Sequence, residues 1–322
     1  MEPTFPLFRL PENVIVHVLQ NMNPDRLLII SLVSTKTKNL VTSLGLRARN
    51  IDIAFYYEIN VTLHIGTFRW NLIFRNEPNH QNTEFDITRP ISASCLCLNK
   101  PFQPSTPFNF NDWLDHILTV FCYTKPLAVG FEPGSEQFEM ELLKNTLKNV
   151  DFALIQGVTA IRTKEILKTF KDLNKLYLRS IIFEDTCEVQ KFFIQNFKSI
   201  GFHDVYSLDD MLSVNIDMIN FRFPIPQKQF NRFVKHWIRG SNPRLQRMYL
   251  SINDSNSVNR GVLLKGIQCV DVSEEKQQEI CQELSIQSDY MVEIKRKDGT
   301  PAVIAVKEYE NNILHIRFLV FY

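Results

Sequence analysis

Between Leu127 and Ile252 the hydrophobic period of the chain keeps switching, and this restricts the possible folds more than any other feature of the sequence. Short runs carry apolar residues at every second position: Leu127/Val129/Phe131, Val150/Phe152/Leu154, Leu176/Leu178, Ile200/Phe202, Val214/Ile216/Met218 and Leu245 to Ile252. Segments with helical spacing lie before or after each run. A period of two buries one face of a strand, and a period near 3.6 buries one stripe of a helix. The strand signals recur about 16 to 29 residues apart. Strands and helices must therefore alternate along the chain and pack against one another.

That spacing lies near the range of leucine-rich repeats, but no Asn or Cys ladder position recurs, so residues 108–252 are expected to form a degenerate leucine-rich-repeat-like α/β region. A compact α/β domain is the alternative. Asn111-Asp112 is expected to cap an amphipathic helix bearing Trp113, Leu114, Ile117, Leu118 and Phe121. The clearest unit is Gln227 to Ile252, where Phe230, Phe233, Val234, Trp237 and Ile238 share a helix face, Gly240 ends the helix and Ser241-Asn242-Pro243 turns into a strand. Upstream, Ile51 to Phe74 alternates over three runs, which predicts a small antiparallel sheet within 49–100, with Gly66 in a tight turn. Residues 77–90 are polar and read as a loop, and 101–107 as a linker. Downstream, 258–322 is expected to be β-rich, a meander whose Asp298-Gly299 pair is a strong hairpin signal.

The first residues pose a separate problem. Leu10-Pro11 is followed by Val14, Ile15, Val18, Leu19 and Met22, one face of a helix with proline in its first turn. Asn23-Pro24-Asp25 interrupts it, Leu27 to Val33 is apolar on more than one side, and Ser34 can cap a third helix carrying Leu40, Val41 and Leu44. Three short helices in about forty residues cannot bury enough surface to fold unaided. They either cap the rest of the chain or share the surplus apolar surface with a partner.

Residues 5–44 resemble the F-box: Leu10-Pro11, Ile15, Val18-Leu19, Pro24, Leu27-Leu28 and Leu32-Val33 fall on its apolar positions. Asn13 stands where an acidic residue is usual, Ser34 where Cys is common and Thr37 where many F-boxes carry a Trp that the similar nematode-expanded members dispense with. The block "FNRFVKHWIRGSNPRLQRMYLSI" is similar to the nematode F-box associated domain, type 2, as is the segment Arg296 to Ala302. The resemblance implies an N-terminal three-helix F-box followed by mixed α+β and α/β structure. It also implies a substrate receptor of a Skp-cullin-F-box ubiquitin ligase, with the F-box binding the Skp linker and, through it, a cullin. The residues carried over as linker-binding are Leu10, Pro11, Ile15, Leu19, Leu27, Leu28, Leu32 and Val33. The remainder would select a target protein, through a concave strand face or the C-terminal meander. The alternative is a repeat-type interaction scaffold with no link to ubiquitin.

The other classes find no support in the residues. Thirty-six basic against 35 acidic side chains give a net charge of +1, which calls for neither nucleic acid nor an anionic membrane. Lys295-Arg296-Lys297 reads as a solvated hairpin shoulder. No run is long and apolar enough for a membrane span and no signal peptide is read, so a cytoplasmic or nuclear setting is expected. Cysteines 95, 97, 122, 187, 269 and 281 are expected to be reduced thiols. Neither they nor the seven histidines have metal-ligand spacing, and phosphate-loop, nucleophile-elbow and zinc-protease motifs do not occur. A non-catalytic adaptor without cofactor or metal is expected.

Overall fold

The computed structural model describes residues 7–75, 85–95, 98–179, 193–203, 206–253, 260–308 and 313–322. Phe5-Pro6, most of the expected loop 77–90, Cys97 and Cys187 lie outside the described residues. The chain is mixed α/β and divides into two compact units. One contains residues 1–153 and 161–172; the other contains 154–160 and 173–322.

In the first unit a 3-10 turn (Leu7–Arg9) precedes α1 (Glu12–Gln20), α2 (Pro24–Ser31) and α3 (Thr35–Ser43). Pro24 starts α2, where its missing N–H costs nothing. The sheet of this unit runs β6 (Leu127–Phe131), β1 (Ala48–Phe55), β2 (Ile59–Ile65), β3 (Phe68–Arg75), β4 (Ser92–Cys95) and β5 (Leu98–Phe102). β1 pairs antiparallel with β2 and parallel with β6. Gly66, at φ +58°, makes the turn between β2 and β3. Helix α4 (Phe110–Val120) begins one residue earlier than its expected cap, because Asn109 and Asp112 form a reciprocal capping box. Its Phe110 and Trp113 are fully buried and meet Phe55 and Phe74 edge-on at centroid distances of 6.1 and 5.5 Å. The short α5 (Met140–Thr146) follows β6, and the chain passes to the second unit within β7 (Val150–Ile155) and α6 (Ala160–Thr169).

The sheet of the second unit runs β8 (Lys175–Leu178), β9 (Ser199–Phe202), β10 (Met218–Ile225), β11 (Arg247–Asn253), β15 (Ile313–Val320), β14 (Pro301–Glu308), β13 (Tyr290–Lys295) and β12 (Val270–Asp271). β8 to β11 are mutually parallel; β11 to β12 along this order are antiparallel. The expected strand at Val214 instead starts at Met218. Leu208–Ser213 forms helix α7, whose Ser207 cap bonds Asp210, so Val214 and Ile216 are buried in the connection.

Helix α8 (Gln227–Ile238) packs on one face of this sheet with Phe230, Phe233, Val234 and Trp237 fully buried, and Phe318 of β15 stands edge-on to Trp237 at 4.9 Å. Gly240 (φ +113°) and Asn242 (φ +52°) then turn the chain toward β11. Short α9 (Arg260–Leu263) lies against α8, whose Asn231 donates to the Leu263 carbonyl at 2.9 Å. On the opposite face of the sheet, α10 (Glu274–Leu284) closes a cluster of Val272, Ile280, Met291, Val303, Ala305 and Leu319.

The expected basic shoulder is corrected at its centre. Lys295 and Lys297 are exposed, but Arg296 is buried, with its guanidinium 4.6 Å from the Trp237 ring centroid and its Nη2 donating to the Asn242 carbonyl at 3.2 Å. The cause is strand alternation. Arg296 is in phase with Ile294, and a cation over an indole face is an acceptable occupant of an inward position.

Candidate interaction surfaces

The N-terminal helices are held in the first unit by α4. Ile15, Leu19, Leu27, Leu28, Leu40 and Val41 are buried, and α2 and α3 both contact α4. Ser31 anchors this packing: its hydroxyl donates to the Leu28 carbonyl at 2.6 Å, leaving its oxygen to accept from His116 Nε2 at 2.7 Å. The neutral His116 tautomer with Nε2–H satisfies both bonds. Ser34 and Thr37 cap α3 reciprocally, the Ser34 N–H bonding Thr37 Oγ1 at 3.0 Å and the Thr37 N–H bonding Ser34 Oγ at 3.2 Å. Two of the three positions singled out above as departures from the usual F-box residues, Ser34 and Thr37, thus serve each other.

Burial and the nearby Lys38 charge lower the His116 pKa from 6.5 to about 4. An unfolded chain takes up this proton first, so the stabilisation is complete above pH 6.5 and is lost as pH falls from 6.5 toward 4. The expected loss is on the order of 2 kcal/mol, read as a urea-midpoint decrease between pH 7 and pH 4.5 that His116→Gln reduces.

The eight residues expected to bind a linker do not form one exposed patch. Ile15, Leu19, Leu27, Leu28 and Leu32 are buried, Leu10 is half-buried, Pro11 is exposed, and Val33 is 58% exposed. Val14, which the sequence reading left out of the set, is 39% exposed. Ile29 and Ile30 are half-buried. Of the apolar residues in this region, Pro11, Val14 and Val33 are thus exposed, and Leu10, Val16, Val18, Met22, Ile29 and Ile30 are half-buried.

The second surface was not named by residue from the sequence. On the sheet face opposite α8, β8, β9, β10, β11 and β15 enclose a trough of 730 Å³, walled on one side by Leu284 and Ile286 at the end of α10. One cross-strand row reads Tyr177, Gly201, Asn220, Tyr249 and Arg317. Gly201 is needed there: a Cβ would sit 2.1 Å from the Tyr177 ring, which lies across the strand. Arg222 Nε donates to the Tyr177 hydroxyl at 2.9 Å, and the Arg317 guanidinium lies 5.9 Å from the Tyr249 ring centroid. Tyr249 also hydrogen-bonds His315, whose pKa is lowered by burial, then by Arg317 and Arg222. The available signal was the polar phase of three otherwise apolar strands: Asn220/Arg222, Arg247/Tyr249 and His315/Arg317.

Among the described residues no group of three or more His, Cys, Asp or Glu is placed to hold a metal ion. Cys95 is buried, and Cys122, Cys269 and Cys281 are partly buried and unbridged. No helix of the described residues is long and apolar enough to cross a membrane.

Comparison with known proteins bears on both surfaces. Residues 7–49 match the family model described as F-box domain, and residues 188–250 match the one described as F-box associated. The chain is also similar to the F-box associated domain-containing protein sdz-33 of Caenorhabditis elegans, 23% identical over 251 residues that cover 76% of this chain and 78% of that protein. No solved structure matches.

Proposed function

We propose, from a chain that is a nematode-type F-box protein with an F-box associated domain, that it is the substrate-recognition receptor of a Skp-cullin-F-box ubiquitin ligase. The observation that carries this reading is the position of the F-box match on three helices with a buried core, along which Pro11, Val14 and Val33 are left exposed. Ile15, Leu19, Leu27, Leu28 and Leu32 keep the helices in register from beneath, and the exposed set with Leu10 meets the Skp-type linker. Exposed apolar side chains among polar ones suit a protein partner.

The F-box associated region selects a target protein. The receptor performs no bond chemistry. It holds a target near a ubiquitin-carrying enzyme bound elsewhere on the cullin and raises the effective concentration of the target's lysines. Purified chain, Skp linker and cullin are expected to co-elute as a ternary complex in size-exclusion chromatography, with cullin binding dependent on the linker. A chain that stays out of the cullin complex when the linker is present contradicts the proposal.

A further inference from the structure

The trough on the second unit combines length, an aromatic floor and positive charge that no carboxylate among the described residues pairs with. Some basic side chains elsewhere in the unit are matched by acids: Arg244 with Asp217 at 3.2 Å, Lys276 with Glu293 at 2.9 Å, and Lys307 with Asp289 at 2.5 Å. In the trough, Arg222, Arg247 and Arg317 form no ion pair among the described residues. Their neighbours are the Tyr177 hydroxyl, aromatic faces and His315. No carboxylate occurs among the described residues that line it, and His203 and His315 are the other titratable groups besides the tyrosines. Aromatic rings hold the Arg222 and Arg317 guanidiniums in place without neutralising them.

The charges are spread out. Arg247 lies beside Met218 and Leu319, two residues along β11 from the row that contains Tyr249 and Arg317, and Arg222 lies two residues beyond Asn220. From Tyr177 to Arg317 the row crosses five strands, about 19 Å at the usual strand spacing, which matches about six residues of extended chain. The arginines stand on three adjacent strands of the row, β10, β11 and β15, offset from one another along the strands, and guanidiniums so separated suit several carboxylates better than one phosphate. The Leu284/Ile286 wall offers an apolar side chain a seat beside them.

We propose that this trough is the target-docking surface and that its occupant is an extended acidic segment of the target, rich in Asp or Glu and carrying an apolar residue. The inference rests on the receptor reading and specifies the chemistry of its target. Nucleic acid is disfavoured by the net charge of +1, which supplies no long-range attraction for a polyanion, and by the apolar wall.

The test is fluorescence anisotropy with the full chain and labelled peptides of about ten residues. The acidic peptide is expected to bind with a Kd of about 10 μM, weakening as salt rises, and its Asn/Gln counterpart at least about tenfold more weakly. Arg222→Glu with Arg317→Glu, and separately Arg247→Glu, should each reduce affinity for the acidic peptide by about tenfold or more. Lys228→Glu, on the exposed side of α8, should leave it unchanged. Circular dichroism of each variant establishes that it is folded, and the neutral pair Arg222→Gln with Arg317→Gln serves where charge reversal unfolds the chain. Equal binding of the neutral peptide, retained affinity in the folded arginine variants, or tighter binding of a phosphoserine peptide or a single-stranded oligonucleotide overturns the inference. Linker affinity measured on the same preparation separates the two readings: failed peptide binding with intact linker binding removes only the acidic-segment inference.

Discussion

Trp237→Ala is expected to destabilise the second unit by about 4 kcal/mol, seen as a large fall in the denaturant midpoint by circular dichroism. Trp237 is fully buried between α8 and β15. Its removal leaves a cavity against Phe318 and takes away the ring beneath the buried Arg296 guanidinium. A buried cation deprived of its partner adds to the cavity cost. Trp237→Phe should cost far less, because it keeps an aromatic face and because Nε1 of Trp237 has no hydrogen-bond partner among the described residues. Equal losses in the two variants would show that the Arg296 contact and the cavity are not the source.

The second large effect is expected at Leu28. This side chain is 0% exposed, and Leu28→Ala should cost about 3 kcal/mol and raise hydrogen exchange throughout α1 to α3. Linker affinity should fall with it, since the exposed residues of α1 and α2 are positioned by the core under them. Val33→Ala, at a 58% exposed position, should leave stability within about 0.5 kcal/mol. The contrast separates residues that support the surface from residues that form it. Normal exchange in Leu28→Ala would contradict this assignment.

The same contrast marks what was readable from the chain alone. The helix face Phe230, Phe233, Val234 and Trp237 and the turn through Gly240 were legible because each is a local pattern with a local cause. So were the helical N-terminus and the alternating runs of β1, β2 and β3. Which apolar residues of α1 and α2 turn inward was not legible, since the neighbours Val14 and Ile15 are both apolar and only tertiary packing buries the second and leaves the first exposed. Arg296 was misread for a similar reason: the ring that accommodates it belongs to another element. The parallel pairing of β8 to β11 and the trough it creates depend on register, which joins Tyr177, Tyr249 and Arg317 across distant parts of the sequence. Spacing along one strand signals a polar face but not what lies beside it.

The proposed role stands or falls with binding of a Skp-type linker by the N-terminal helices. Isothermal titration of purified linker into the intact chain, and into Leu10→Ala with Pro11→Ala, tests it most directly. Both substitutions lie at half-buried or exposed positions, so the variant should remain folded. The intact chain is expected to bind with a Kd below about 1 μM and the variant at least about tenfold more weakly, equivalent to about 1.4 kcal/mol or more. A folded intact chain with no binding heat at tens of micromolar linker would contradict it, and the helices would then serve only to cap their own unit.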